Sequence, residues 1–483
     1  MLLQSFDFIG FLGVTVLACA VAPIRFKPFL LLVASYTFYA LFFWKFPIYL
    51  PLVTGLAYFG ALLIEKSKQS RRRRVLVYSL LPPLGLFVFF KYFNLLVELA
   101  SGIFPKCSPY LAPLDLILPV GLSFVTFKIV SYLVDVFRSR LKAEKNIVLL
   151  ALHIAYFPQL LAGPIERAAS FLPEIKKQIK FDDRLALSGI KLVIWGLFKK
   201  IVIADNLAGF VSLVFAAPEN FSGLTLALTL VFFSFQIYCD FSGYSDIAIG
   251  ISRIFGLQVA DNFNFPYFSQ SIPEFWTRWH ISLSTWLRDY LFLPIAYAVM
   301  RVFKSERLLL VRIETLAYIS GIVVTMFLCG AWHGANWTFV CWGLLHGFFL
   351  IASHAGKNIR KSLATHMHLK KLGTIRRSFR VLWTFGLVSM AWVFFASPTL
   401  AQAFGYLGRI SWRPPRQGVG QIIYLAGLIA FFIVLEYMKK NRGRFHFYGR
   451  ISEPVKWLGY ALLLCLMIVI GIDKTNAFIY FSF

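Results

Sequence analysis

Charge is what this sequence is short of. Only 15% of its 483 residues are Asp, Glu, Lys or Arg, against 59% hydrophobic, and acidic residues number just 22. A soluble domain carries nearer a quarter charged residues, so a soluble enzyme or binding module is excluded. Polar stretches long enough to fold separately are missing as well. The six cysteines (19, 107, 239, 329, 341 and 465) show no CxxC or Cys/His ligand spacing. That excludes a disulfide framework and a zinc site, and leaves the thiols as small hydrophobes in apolar runs. There is no Gly-x-Ser-x-Gly elbow, no phosphate-cradling loop and no His-Glu-x-x-His helix. No Lys or Arg precedes Arg25, so Met1 to Ala22 reads as a retained first span and not as a cleaved signal peptide.

What is there is a succession of apolar runs of membrane-spanning length, the mark of an all-α polytopic membrane protein. Spans fall near 29–44, 47–64 (after a turn at Lys45 and Pro47), 76–98, 116–136, 187–215, 223–239, 381–396, 421–438 and 456–472. Residues 149–165, with Pro158, Gly163 and Pro164, predict a re-entrant or broken helix. A proline-bearing loop follows the 76–98 span at Pro105, Pro109 and Pro113. The whole makes about 11–13 crossings at roughly 20 residues each. It reads as one membrane domain over 1–483, with N-terminal helices (1–145), a central core (146–355) and C-terminal helices (356–483). The net charge of +27 comes from 49 basic residues, concentrated at 66–74, 138–145, 355–380 and 439–450. These alternate with spans on one side, as the positive-inside rule requires, and form no nucleic-acid groove.

The chemistry concentrates between Glu274 and Gly347. Residues 275–291, set on a helix, place Phe275, Trp276, Trp279, Leu283, Trp286 and Tyr290 on one face and Arg278, Ser282 and Arg288 on the other. His280 falls at the boundary, either turned toward a crevice or snorkelling. Farther on, His333 sits between Trp332 and Gly334. Gly330/Gly334 and Gly343/Gly347 have the small-xxx-small spacing of close helix packing. Asn336, three residues on, is close enough on a helix to orient the imidazole or a substrate carbonyl. A span starting near Val311 puts His333 toward its outer end. An imidazole in so apolar a setting needs a partner or a function, and a neutral one is a capable general base. A hydrogen-bonded interhelical His333 is the competing reading. His153 and His346 lack such settings and read as structural. Asp240 and Asp246, in Asp240-Phe-Ser-Gly-Tyr-Ser-Asp246, belong either to a tunnel wall or to a helix end with solvated caps.

Taken together, several motifs make the sequence similar to the membrane-bound O-acyltransferase family, in its exopolysaccharide O-acetylation branch. They are Lys91-Tyr-Phe-Asn94, Leu118 to Phe127, Tyr156 to Ile165, Gly196-Leu-Phe-Lys-Lys200, Asp240 to Asp246, Asn262-Phe-Asn-Phe-Pro-Tyr267, Phe275-Trp-Thr-Arg-Trp-His280 and Gly330-Ala-Trp-His-Gly334. Lys128 and Val125 depart from the pattern, where Gln and an aromatic residue are expected. The resemblance implies a ring of tilted helices and re-entrant segments around a central tunnel. It makes His333 the family's central histidine, set mid-membrane, and His280 its second. It further implies acetyl-CoA as cytoplasmic donor, no metal, a bacterial inner-membrane location, and a polysaccharide acceptor or a periplasmic acetyl-transferring partner. Trp276, Trp279, Arg278, Trp332, Asn336, Asp240 and Asp246 become candidate tunnel-wall residues. D-alanyl transfer to teichoic acid, fatty-acyl transfer to lipid, and a non-enzymatic transporter or export channel are the alternatives.

Overall fold

The computed structural model describes residues 5–42, 48–104, 113–116, 118–119, 121–161, 163–177, 179–303, 305–308, 311–366, 373–415, 417–441, 452–471 and 479. The turn at Lys45 and Pro47, Pro105, Cys107, Pro109 and most of the basic stretch 439–450 lie outside these residues. Among the described residues seven helices are long and apolar enough to cross a membrane: Ile24–Leu41, Gln69–Ile103, Gly223–Ile254, Ile313–His333, Trp337–Ala355, Gly373–Ala396 and Val419–Lys440. Shorter apolar helices run over Asp7–Val21 and Pro454–Ile470. The protein is all-α and polytopic, with one two-stranded antiparallel ribbon pairing Arg307 with Arg312.

Packing divides the chain into two compact units. The first comprises Met1–Val193 and Tyr244–Ala260. Here the expected broken helix appears as Ile147–Ala155 followed by Phe157–Leu160, interrupted at Tyr156. A break inside an apolar core strands backbone donors, which must find partners. The Phe157 amide finds Ser35 Oγ at 3.1 Å, and the Tyr156 hydroxyl bonds Ser252 Oγ at 3.2 Å. Fully buried Lys128 contributes as well, donating to the His153 carbonyl (2.9 Å) and Gln159 Oε1 (3.0 Å). The unexpected lysine is therefore a brace for the broken segment.

The second unit comprises Ile194–Gly243 and Asp261–Phe483. Lys199 and Lys200, which fall within the expected 187–215 span, begin a π-helical turn, Lys199–Ala204. Asp240 and Ser242 do not end a helix; they lie inside Gly223–Ile254. That corrects the solvated-cap reading, because Asp240 is 2% exposed and ion-paired. The span ending at 239 continues because its polar residues have buried partners in place of water.

The tightest packing joins Ile313–His333 to Trp337–Ala355. A Cβ on Gly343 would strike the Met326 carbonyl and come 3.0 Å from the Gly330 Cα. One on Gly330 would meet the Phe339 carbonyl and lie 3.0 Å from the Val340 Cα. Backbone thus rests on backbone, the contact that only glycine permits.

Candidate functional site

The continuous helix expected over 275–291 is interrupted at the residue that matters. Ile272–Trp276 and Ile281–Leu287 are separate helices, and His280 between them takes φ +43°. A π-helical turn, Arg288–Phe292, follows. The amphipathic pattern survives as alternating burial, but a left-handed residue cannot sit inside an α-helix. Two backbone hydrogen bonds fix the kink. Ile281 N donates to the Asn262 carbonyl, and Asn264 N to that of Arg278, each at 2.9 Å. Residues 262–264 therefore run beside 278–281 and hold His280 in a conformation it would not otherwise favour.

The same segment fixes the imidazole's protons. Asn262 Oδ1 accepts from the Ser282 amide (3.3 Å) and the Ser282 hydroxyl (2.8 Å), and stands 3.0 Å from His280 Nδ1. A backbone amide can only donate, so the atom facing it is the oxygen, and His280 Nδ1 must carry the hydrogen. Nε2 is then a bare acceptor. It is buried without a hydrogen-bond partner among the described residues. Burial, which disfavours the charged ring, lowers the His280 pKa from 6.5 to about 3. The ring is neutral at physiological pH and its tautomer is settled.

His333 is the last residue of its helix and 5% exposed. The chain is extended at Gly334, with φ −168°, so the helix does not continue to Asn336. Asn336 caps the next helix instead, accepting from the Thr338 amide (3.0 Å) and donating to the Pro398 carbonyl (2.8 Å). The expectation that it orients His333 is corrected. Aromatic edges position that ring: Trp332 at 4.6 Å, Trp342 at 4.9 Å and Phe395 at 5.2 Å between centroids. Trp332 also lies 6.4 Å from the His280 ring. One indole thus touches both histidines.

The remaining candidates divide. Trp276 packs against Trp342 (6.0 Å), and Trp279 against Trp392 (5.2 Å) and Phe263 (5.1 Å). Both belong to an aromatic cluster in which Trp392 stacks on Trp342 and Trp342 meets His333 edge-on. Half-exposed Arg278 pairs with Glu274 at 2.8 Å. Asp240 accepts from Lys200 at 2.8 Å, Lys200 also reaches Asp205 at 2.9 Å, and the second Asp240 oxygen accepts the Ile479 amide at 2.8 Å. Lys199 donates to Ser242 Oγ at 2.9 Å. Asp246 is half-buried and belongs to the first unit. Asn262 was quoted within a motif but given no role by sequence reasoning, and Lys200 likewise. The His280 partner of Asn262 stands 18 residues away and the Asp240 partner of Lys200 stands 40 away, beyond the reach of any local pattern. Among the described residues no group of three or more His, Cys, Asp or Glu side chains is arranged to hold a metal ion.

The model of the MBOAT, membrane-bound O-acyltransferase family matches residues 135–396, the stretch holding both histidines. The chain is 35% identical over 387 residues to a probable alginate O-acetylase of Azotobacter vinelandii, covering 79% of this chain and 72% of that one. It is 33% identical over 429 residues to a peptidoglycan O-acetyltransferase of Helicobacter pylori, covering 83% and 76% respectively. A teichoic acid D-alanyltransferase of Streptococcus thermophilus is 28% identical over 53% of this chain and 60% of its own length.

Proposed function

The chain belongs to the membrane-bound O-acyltransferase family and is a multi-pass membrane O-acyltransferase, and from that premise we propose that it carries acetyl from cytoplasmic acetyl-CoA to hydroxyls of a polysaccharide beyond the membrane. The acceptor is either the glycan itself or a periplasmic partner that passes the group on, and the location is the bacterial inner membrane. Relatives named for alginate and peptidoglycan O-acetylation support a glycan acceptor.

The observation that carries the mechanism is the pair of imidazoles touching one indole, Trp332. Their roles differ. His280, with a pKa near 3, is too weak a base to take a proton at neutral pH. Its bare Nε2 instead accepts a hydrogen bond and orients a donor group on the incoming thioester. His333 is the general base. It removes the hydroxyl proton as that oxygen attacks the thioester carbon, the C–S bond breaks, and the departing sulfur takes the proton to leave as a thiol. The aromatic wall of Trp276, Trp279 and Trp332 excludes water, which otherwise competes as acceptor.

The test is substitution of His333 by Ala, read as O-acetyl content of extracellular glycan and as turnover of labelled acetyl-CoA. Loss of both by about 10³-fold, at an unchanged melting temperature, is expected of a removed general base. Wild-type acetylation would remove His333 from the reaction. Turnover of a D-alanyl carrier in place of acetyl-CoA would move the protein to the teichoic acid reading.

A further inference from the structure

One set of buried nitrogen atoms has no part in the steps above. His346, read from sequence as structural, is 0% exposed, and neither of its ring nitrogens has a hydrogen-bond partner among the described residues. The indole Nε1 atoms of Trp276 and Trp342 are buried and unpartnered in the same way. These are one cluster. The His346 ring lies 5.2 Å from Trp276 and 5.1 Å from Trp342, and the two indoles are 6.0 Å apart. Trp342 also meets His333 edge-on at 4.9 Å, so the cluster stands one ring from the proposed base.

Packing does not explain these residues. At His346 phenylalanine would fill much the same space with no polar atom to desolvate, whereas every unsatisfied buried N–H or ring nitrogen costs free energy. That cost is highest where the surroundings are apolar. The donor arithmetic says what would satisfy them. Each indole offers one donor and no acceptor, and a neutral imidazole offers one of each. Three donors against one acceptor call for an oxygen with lone pairs to spare.

We propose that Trp276, Trp342 and His346 form the oxyanion site of the acyl transfer, their N–H groups binding the thioester carbonyl oxygen. As the hydroxyl oxygen bonds to the carbonyl carbon and its proton passes to His333, negative charge collects on that carbonyl oxygen. The three N–H groups stabilise it there. When the C–S bond breaks the carbonyl re-forms, and the sulfur leaves with the proton from His333. Donors fixed in advance in a water-poor site serve this purpose without reorganising during the reaction. The assignment rests on the acyl-transfer reading above.

The experiment compares initial rates of labelled acetyl-CoA turnover by purified full-length protein in lipid nanodiscs. The variants are His346→Phe, His346→Gln, Trp276→Phe, Trp342→Phe and His333→Ala. At His346, Phe keeps a ring and removes the nitrogens, whereas Gln keeps an N–H and loses the ring. An oxyanion donor predicts that His346→Phe lowers kcat by about 10²-fold, the usual loss for one such donor, with KM for acetyl-CoA within about threefold, and that His346→Gln recovers part of the rate. A packing residue predicts the reverse order, and that result would overturn the assignment. Should neither His346 variant fold, the indoles decide. A drop of about tenfold or more in kcat for Trp276→Phe and Trp342→Phe supports it, and wild-type kcat in both overturns it. The His333→Ala arm separates the two levels. Full turnover there removes His333 as the base, absence of turnover by the wild type sinks the acyl-transfer reading itself, and an inactive His333→Ala beside fully active Phe variants sinks only the oxyanion site.

Discussion

Asn262 Oδ1 sits 3.0 Å from His280 Nδ1 and at the same time accepts two bonds from Ser282. This contact assigns the imidazole tautomer and turns Nε2 outward as an acceptor. Removing the oxygen in Asn262→Ala frees the ring and leaves Nδ1–H unpaired. We expect kcat to fall on the order of 10²-fold, as when the orienting partner of a functional histidine is lost. Asn262→Asp, which still accepts from all three donors, should retain most of the activity that Ala loses. Equal activities in the two variants would show that tautomer control is unimportant.

The buried state of His280 also fixes the sign of a pH effect. Unfolded, the ring takes a proton below its ordinary pKa of 6.5; folded, it does so only near 3. Between those values the unfolded state binds the extra proton, so stability falls as pH falls from 6.5 toward 3, by up to about 1.4 kcal/mol per pH unit. Above 6.5 neither state is protonated and the ring contributes nothing. Melting curves of wild type and His280→Gln should therefore run parallel from pH 7 to 8. Below pH 6 the wild type should lose melting temperature the faster.

The glycine seam between the two central spans predicts a contrast within one residue type. Gly343→Ala places a methyl group against the Met326 carbonyl and the Gly330 backbone. About 1–3 kcal/mol of stability should be lost, seen as a lower melting temperature in detergent. Gly427, in helix Val419–Lys440, has nothing within 4 Å of its would-be Cβ. Gly427→Ala should leave the melting temperature unchanged or raise it slightly.

Lys200 is held between Asp240 and Asp205, with all three side chains at least 96% buried. Deleting one partner of a buried ion cluster leaves uncompensated charge and costs about 3–5 kcal/mol, whereas replacing the whole cluster by apolar residues is often neutral. Asp240→Ala should thus sharply reduce the yield of monodisperse protein on gel filtration. The triple change Lys200→Met, Asp205→Leu, Asp240→Leu should restore it. If the triple variant folds and remains inactive, the cluster serves the reaction as well as the fold.

What could be read from the sequence was what neighbouring residues encode. Apolar runs gave the polytopic helical class, Pro158 marked a broken segment, and the glycine spacing from 330 to 347 pointed to close helix packing. Long-range pairing was invisible. The helical periodicity of 275–291 is real as a burial pattern, yet it cannot report that His280 turns left-handed, because backbone bonds from 262–264 impose the turn. The role given to Asn336 failed similarly, since it assumed a helix that Gly334 ends. His346 looked inert because nothing within a few residues marks it. Its significance comes from Trp276, brought in from 70 residues away.

The two proposed partners in the chemistry are mounted differently. His333 ends a helix packed backbone to backbone against its neighbour at Gly330 and Gly343. His280 hangs from short helices and a strand-like pairing of loops, held by a few hydrogen bonds. Should substrate entry demand a rearrangement, the yielding wall is the one that carries His280, while the base stays fixed like an anvil.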